Sequence, residues 1–212
     1  MNTYHKIHSV FKREENGKRG KRKLILGDWS LPEFEYLKNN DWIFTEKIDG
    51  TNIRIMWDGE NIKFGGKTDN ADIPTFLLAK LHVLFYNKEQ LFDAVFGNKP
   101  ACIYGEGYGN RIQSSGKLYI PDDVSFIAFD IKIGNYWYPR NQVEEICDKL
   151  GIDIVPIIAV CELEDMIDYV SHNAAPCSRI GTAPVEGYVG VPVVKLHSDN
   201  GRIITKIKYA DF

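Results

Sequence analysis

Thr45-Glu46-Lys47-Ile48-Asp49-Gly50-Thr51-Asn52 is the stretch from which the fold is read. A lysine ends one strand-like segment, Ile43 to Lys47, and a second, Asn52 to Trp57, leaves after Asp49-Gly50. Asp-Gly makes a tight reversal at low cost, because glycine accepts backbone angles that other residues avoid. Taken alone, the stretch predicts a hairpin with a surface lysine at its mouth. A rigid sheet edge with an ammonium beside carboxylates is also a good support for a nucleophile, so the rest of the chain must decide.

Outward from there, the sequence alternates short strands and short helices. Asp58-Gly59 predicts a hairpin turn into Ile62 to Phe64. On the N-terminal side, Ile7 to Phe11 reads as a strand. Ser30 reads as the cap of a short helix from Leu31, with Pro32 in its first turn. From Pro74 the period becomes helical: Leu77, Leu81, Leu84 and Phe85 share a face, and Leu91, Phe92, Val95 and Phe96 continue it in a second helix. Cys102 to Tyr104 is a short strand and Ser125 to Lys132 a longer one, turned at Gly134-Asn135 into Tyr136 to Tyr138. Asn141 with Glu144 predicts a capped helix carrying Val143, Ile146, Cys147 and Leu150, ended by Gly151. The strand Ile154 to Val160 precedes a helix with Leu163, Met166, Ile167 and Val170 inward. Strands Glu186 to Leu196 and Arg202 to Ile207, with the turn Ser198 to Gly201 between them, close the chain. The expectation is an α+β fold of antiparallel β-sheets flanked by helices, one domain over residues 1–212, with residues 1–40 as an N-terminal extension.

Composition fits a soluble globular protein: 212 residues, 44% hydrophobic, 26% charged. No apolar run is long enough for a bilayer and no signal-peptide core is visible, so no membrane partner and a cytoplasmic location are expected. Cys102, Cys147, Cys161 and Cys177 are widely spaced, which predicts reduced thiols rather than a zinc site or disulfide framework. His5 and His8, without cysteine partners, read as solvated or packing residues. A net charge of −3 argues against coating nucleic acid through bulk positive charge. The local run Lys12, Arg13, Lys18, Arg19, Lys21, Arg22 and Lys23, with Gly17 and Gly20, predicts a basic loop suited to phosphate contact.

Three further stretches set charge into apolar strands. Glu106 stands between glycines, Glu186 opens an apolar strand, and Lys206 and Lys208 flank Ile207 so that both face one side. A single such residue discourages edge-to-edge pairing. A converging set is costly to bury and is retained mainly for function.

In this order the stretches resemble the nucleotidyltransferase motifs of the phage-type ATP-dependent RNA ligases, within the superfamily of DNA ligases and mRNA capping enzymes. Lys47-Ile48-Asp49-Gly50 is similar to motif I, and Thr51-Asn52 continues it as phage-type enzymes do. Tyr104-Gly105-Glu106-Gly107 resembles motif III and Phe126-Ile127-Ala128-Phe129-Asp130-Ile131 motif IIIa. Glu186-Gly187-Tyr188-Val189 resembles motif IV and Lys206-Ile207-Lys208 motif V. The resemblance runs from Glu46 to Lys208. It implies a nucleotidyltransferase domain, ATP-grasp-like, here without a C-terminal OB domain.

The resemblance implies a lysyl–AMP intermediate on Lys47, with ATP and Mg²⁺ or Mn²⁺ as cofactors and RNA 3′-hydroxyl and 5′-phosphate ends as substrates. A nicked duplex is a further candidate substrate. An ordinary lysine, with a pKa of about 10.4, is protonated at neutral pH and cannot attack. Neighbouring cations favour the free amine, and Lys206, Lys208 and the metal are the candidates. By the same resemblance Glu106 contacts the ribose hydroxyls, Glu186 lies near the α-phosphate and metal, and Phe129 stacks on adenine. Glu46 helps select adenine, through its backbone; otherwise it is a plain edge-strand carboxylate. Where the family places a motif Ia arginine, this chain offers Lys67, which lacks the bidentate fork. Asn52 and Arg54 are candidates for contact with the nucleotide or the nucleic-acid end, and for Arg54 a surface ion pair is the alternative. The competing readings are a minimal ATP-dependent DNA ligase and a non-catalytic nucleotide or nucleic-acid binder. A protein partner is a candidate substitute for the C-terminal domain.

Overall fold

The computed structural model describes residues 3–15, 23–194 and 202–212. In chain order the strands begin with β1 (His8–Ser9), β2 (Phe11–Arg13) and β3 (Leu24–Trp29), followed by helix α1 (Pro32–Tyr36). Next come β4 (Asp41–Glu46), β5 (Thr51–Trp57) and β6 (Ile62–Gly65), then α2 (Thr75–Leu84) and α3 (Glu89–Phe96). β7 (Ala101–Gly109), α4 (Gly116–Tyr119), β8 (Val124–Ile133), β9 (Tyr136–Trp137) and α5 (Arg140–Leu150) follow. The chain closes with β10 (Ile157–Glu162), α6 (Leu163–His172), β11 (Gly187–Pro192), β12 (Thr205–Lys208) and a short 3₁₀ turn (Tyr209–Asp211).

These elements form two compact units. The first comprises Met1–His5, Asp49–Val155 and Ile180–Ala183; the second comprises Lys6–Ile48, Pro156–Arg179 and Pro184–Phe212. The first unit is built on the sheet β6-β5-β7-β8-β9, antiparallel throughout. Along β5, Ile53, Ile55 and Trp57 turn one way, as the period of two requires, and meet Leu77, Leu81, Phe92, Ile103 and Ile131 in a continuous core. Asn52, Arg54 and Met56 turn to the opposite face. The α5 residues Val143, Ile146, Cys147 and Leu150 join the core at helical spacing. Gly151, at φ 60, ends that helix in the left-handed region as expected.

The second unit holds the sheet β1-β12-β11-β4-β10 and the separate ribbon β2-β3. Trp42 and Phe44 of β4 bury against Phe34 of α1 and Leu163, Met166, Ile167 and Val170 of α6. The sheet departs from purely antiparallel pairing at one edge, where β1 runs parallel to β12.

Several sequence expectations need correction. β4 and β5 do not pair: each belongs to a different sheet, so Asp49-Gly50 is a crossing between units rather than a hairpin turn. The local signal was sound for a sharp bend, but strand pairing is decided by distant partners, β11 and β10 for one strand and β7 for the other. Ser30 caps nothing; its hydroxyl donates to the Ser9 carbonyl, and Leu31 takes the cap position without a side-chain bond. Asn141 is likewise inside α5, and Glu144 accepts from Arg140 Nε at 2.8 Å instead of closing a capping box. The strand from Cys102 runs on through the glycines to Gly109, and the one expected from Ile154 starts at Ile157. Lys18 to Arg22 of the basic run, the end of the strand expected to reach Leu196, and the turn Ser198 to Gly201 lie outside the described residues. Among the described residues all four cysteines are free, and no helix is long and apolar enough to cross a membrane.

Candidate active site

In the second unit, three adjacent strands assemble a charged row. Lys47 N donates to the Gly187 carbonyl at 2.9 Å, and Gly187 pairs with Lys208 across β11 and β12. Residues opposite each other in an antiparallel ladder share a face. Lys47 and Lys208 therefore emerge side by side, with a glycine between them that has no side chain to intervene. The Glu186 carboxylate bridges the two, at 2.5 Å from Lys47 Nζ and 2.5 Å from Lys208 Nζ. Lys206 stands on the same face one pleat away, opposite Val189.

Gly187 is required by close approach. A Cβ there would lie 2.1 Å from the Ile207 carbonyl oxygen and 2.7 Å from Lys208 Cα. Only glycine lets β11 and β12 come together at the level of the row, which is why the carboxylate of Glu186 is followed by glycine.

The electrostatics follow from this packing. Burial disfavours the Glu186 carboxylate, yet Lys47 and Lys208 outweigh it and hold the group below its ordinary value. Lys206 is pushed below the usual lysine value, first by burial and then by the neighbouring charges of Lys47, Lys208 and Arg13. Arg13 reaches this sheet from β2, bonded to Ser9 at 3.2 Å and Asp211 at 2.6 Å. Glu46 points the other way on β4. It is buried, accepts from Ser178 Oγ and accepts from Arg179 N at 3.0 Å. β4 lies between β11 and β10, so the reading of Glu46 as a plain edge-strand carboxylate does not hold.

The first unit places its own set. Asn52 pairs with Glu106 across β5 and β7, on the sheet face opposite the core. The Asn52 Oδ1 is buried without a hydrogen-bond partner among the described residues. The flanking glycines of Glu106 are again matters of room. A Cβ on Gly105 would lie 2.3 Å from the Ile127 carbonyl and 2.4 Å from the Phe126 ring; on Gly107, 2.5 Å from a Leu77 methyl. The β7–β8 register slips after Tyr104, which pairs with Asp130 while Gly105 pairs with Ala128. Phe129 is the extra residue of that bulge, so it turns to the same face as Asp130. Its half-buried ring meets Tyr4 edge-on at 5.0 Å, and Tyr4 Oη donates to Asp130 at 2.5 Å.

Arg54, a candidate for contact with the nucleotide or the nucleic-acid end with a surface ion pair as the alternative, is neither exposed nor at the surface. It is 1% exposed: Nε donates to the Gly66 carbonyl at 2.8 Å, and the guanidinium meets Asp69 at 2.8 Å. It thereby fixes the loop Gly65–Asp69 on which exposed Lys67 stands. Sequence reasoning placed Arg13 in a basic loop, whereas it lies on β2 beside Ser9 and Asp211; it missed Ser178 and Arg179, and also the polar groups around Asp49: Ser115, Gln113 and Tyr119. None of these lies in a recognisable motif, and each meets its partner from a distant stretch of chain.

A comparison with curated protein sequences found no match. Among solved structures, Naegleria gruberi RNA ligase with PPi is similar at 19% identity with a TM-score of 0.65, over 84% of this chain and 52% of that chain. A variant of that ligase with ATP and Mn gives 19%, 0.65, 84% and 52%. A variant with AMP and Mn gives 18% and 0.65 over the same shares. The chain thus spans about half the length of these structures, and the likeness is one of fold, that of an RNA ligase nucleotidyltransferase domain. A family model described as RNA ligase matches residues 40–208, a span that takes in every motif from Lys47 to Lys208. The chain belongs to the RNA ligase family.

Proposed function

We propose that this chain joins RNA 3′-hydroxyl and 5′-phosphate ends in three ATP-dependent steps. First, Lys47 Nζ attacks the α-phosphorus of ATP; a P–N bond forms and the bond to pyrophosphate breaks. Second, the 5′-phosphate of the RNA attacks the same phosphorus, which breaks the P–N bond and leaves AMP on the end. Third, the 3′-hydroxyl attacks the capped phosphate, a phosphodiester forms and AMP departs. The observation that carries this reading is the row of Lys47 and Lys208 bridged by Glu186. It sets a lysine beside a second cation and a carboxylate on a rigid sheet. The solved ligases with ATP and Mn, with AMP and Mn, and with PPi support it.

Before attack, the Lys47–Glu186 pair must part and Nζ must give up its proton. Lys206 and Lys208 stabilise charge building on the phosphates, and Lys206 does so at the expense of its own desolvation. Glu106 would accept from the ribose hydroxyls, Asn52 would use its buried oxygen toward the nucleotide, and Phe129 would stack on adenine. Glu46 acts by ordering Ser178 and Arg179. Lys67 meets a phosphate from the loop that Arg54 holds, so Arg54 supports this contact rather than touching RNA.

A divalent metal fits a thinly liganded site. Among the described residues no group of three His, Cys, Asp or Glu side chains converges, while Glu186 is a carboxylate held ionised beside the row. Glu186 would hold Mg²⁺ or Mn²⁺ together with phosphate oxygens and water, and the ion would supply charge neutralisation there.

Labelled ATP with Mg²⁺ tests the first step: an AMP adduct should form on the intact protein, stripped of bound AMP, and vanish in Lys47→Ala. A panel of RNA, DNA and mixed ends tests the rest. If nicked all-DNA is sealed better than RNA-containing ends, the RNA assignment fails.

A further inference from the structure

We propose that the segment Gly109–Tyr119 braces the nucleophile loop, and that Ser115 is a positioning residue acting on Lys47 through Asp49. The inference rests on the reading of Lys47 as the nucleophile. β7 and β8 are antiparallel neighbours already paired at Gly109 and Val124. A short turn would close them. The chain instead makes a long detour that carries three polar groups to Asp49 and Gly50. Ser115 Oγ donates to Asp49 Oδ2 at 2.6 Å, Gln113 Nε2 donates to the Gly50 carbonyl at 3.0 Å, and Asp49 N donates to Tyr119 Oη at 3.3 Å. Gly50 is also pressed against β7, where a Cβ would lie 2.5 Å from the Gly107 carbonyl.

The detour is held in a costly conformation. Arg111 and Gln113 both take positive φ, 65° and 56°, which non-glycine residues avoid. Gly116 folds back so closely that a Cβ would meet the Gly109 carbonyl at 2.0 Å. Tyr119 is fixed edge-on by Tyr108 at 5.9 Å. Strain of this kind persists where the surroundings over-determine it, and it concentrates at functional sites. Its product here is a fixed backbone two residues after Lys47. A lysine has four side-chain torsions, so anchoring the adjoining backbone restricts where Nζ can go before it meets phosphorus.

A positioning role predicts a defect in rate at saturating ATP rather than in ATP affinity. Ser115→Ala should slow AMP-adduct formation by about 10- to 100-fold, with the KM for ATP held within about twofold. Sealing of a chemically pre-adenylylated RNA end, in which Lys47 is no longer a nucleophile, should fall at least about tenfold less. Ser115→Thr, which keeps the hydroxyl, should recover most of the rate. If Ser115→Ala melts below the assay temperature, Gln113→Ala, at an exposed position, carries the same test. Equal losses in adduct formation and sealing, a KM rise that accounts for the loss, or no recovery with threonine would overturn the brace. A parent protein that forms no adduct sinks the ligase reading and the brace with it; a parent that forms one leaves the brace to be judged alone.

Discussion

Glu186 lies against two ammonium groups, and the charge balance of the second unit turns on it. Replacing it by glutamine leaves Lys47 and Lys208 facing one another without a carboxylate, at an expected cost of about 1–3 kcal/mol. Because its folded pKa is lowered from 4.5, the carboxylate stabilises the fold above that value, and the contribution is lost as pH falls through the folded pKa. Acid unfolding curves of Glu186→Gln should therefore be flatter than those of the parent on the acid side of pH 4.5. Lys206 runs the opposite way. Its pKa is lowered from 10.5, so the unfolded chain binds its proton more tightly, and stability rises with pH between the folded value and 10.5. Lys206→Met should keep or raise the melting temperature at neutral pH and remove that alkaline gain, while adduct formation drops by about 10²–10³-fold. A melt lowered at neutral pH would show that the charge is not held at a cost.

At the scale of elements, glycines set how closely strands approach. Gly187→Ala must separate β11 from β12, and Gly105→Ala must displace β7 from β8; each should destabilise by about 3 kcal/mol or more, since backbone, not a flexible side-chain end, is in the way. Gly134→Ala, at φ 57 with nothing within 4 Å, should cost only about 1–2 kcal/mol, for backbone strain alone. Denaturant midpoints of the three rank them. The loop Gly65–Asp69 depends likewise on one buried side chain: Arg54→Met should cost about 2–4 kcal/mol in the same measurement. Proteolytic cleavage of that loop should quicken, and weaker ATP binding should accompany it.

For the molecule as a whole, ligand linkage is the readout that needs no assignment of individual contacts. Saturating ATP with Mg²⁺ at about 100 times Kd should add about 2.7 kcal/mol to unfolding, seen as a rise in melting temperature that GTP does not reproduce. Equal shifts with both nucleotides would count against adenine selection in which Glu46 and Phe129 share.

The legibility of this chain follows the range of the forces involved. Helices α2, α3, α5 and α6, most of the strands and the Asp58-Gly59 hairpin were readable because period, glycine and β-branched content act within a few residues, whereas β3 was not read and the strand expected at Ile7 to Phe11 divides into β1 and β2. The charged residues in apolar strands stood out because unpaired charge in a strand is expensive wherever the strand ends up, while their order from Lys47 to Lys208 was legible only as a resemblance to the nucleotidyltransferase motifs. Pairing itself was not local: the bend at Asp49-Gly50 became a crossing because β4 found β11 and β10 while β5 found β7. The bulge that turns Phe129, the burial of Arg54, and the convergence of Ser115, Gln113 and Tyr119 on Asp49 likewise depended on partners far along the chain. The sequence by itself determined which residues could do chemistry and the elements that carry them. Only the tertiary structure decided which of those residues meet, because close approach between distant strands is set by the packing of side chains that no short window contains.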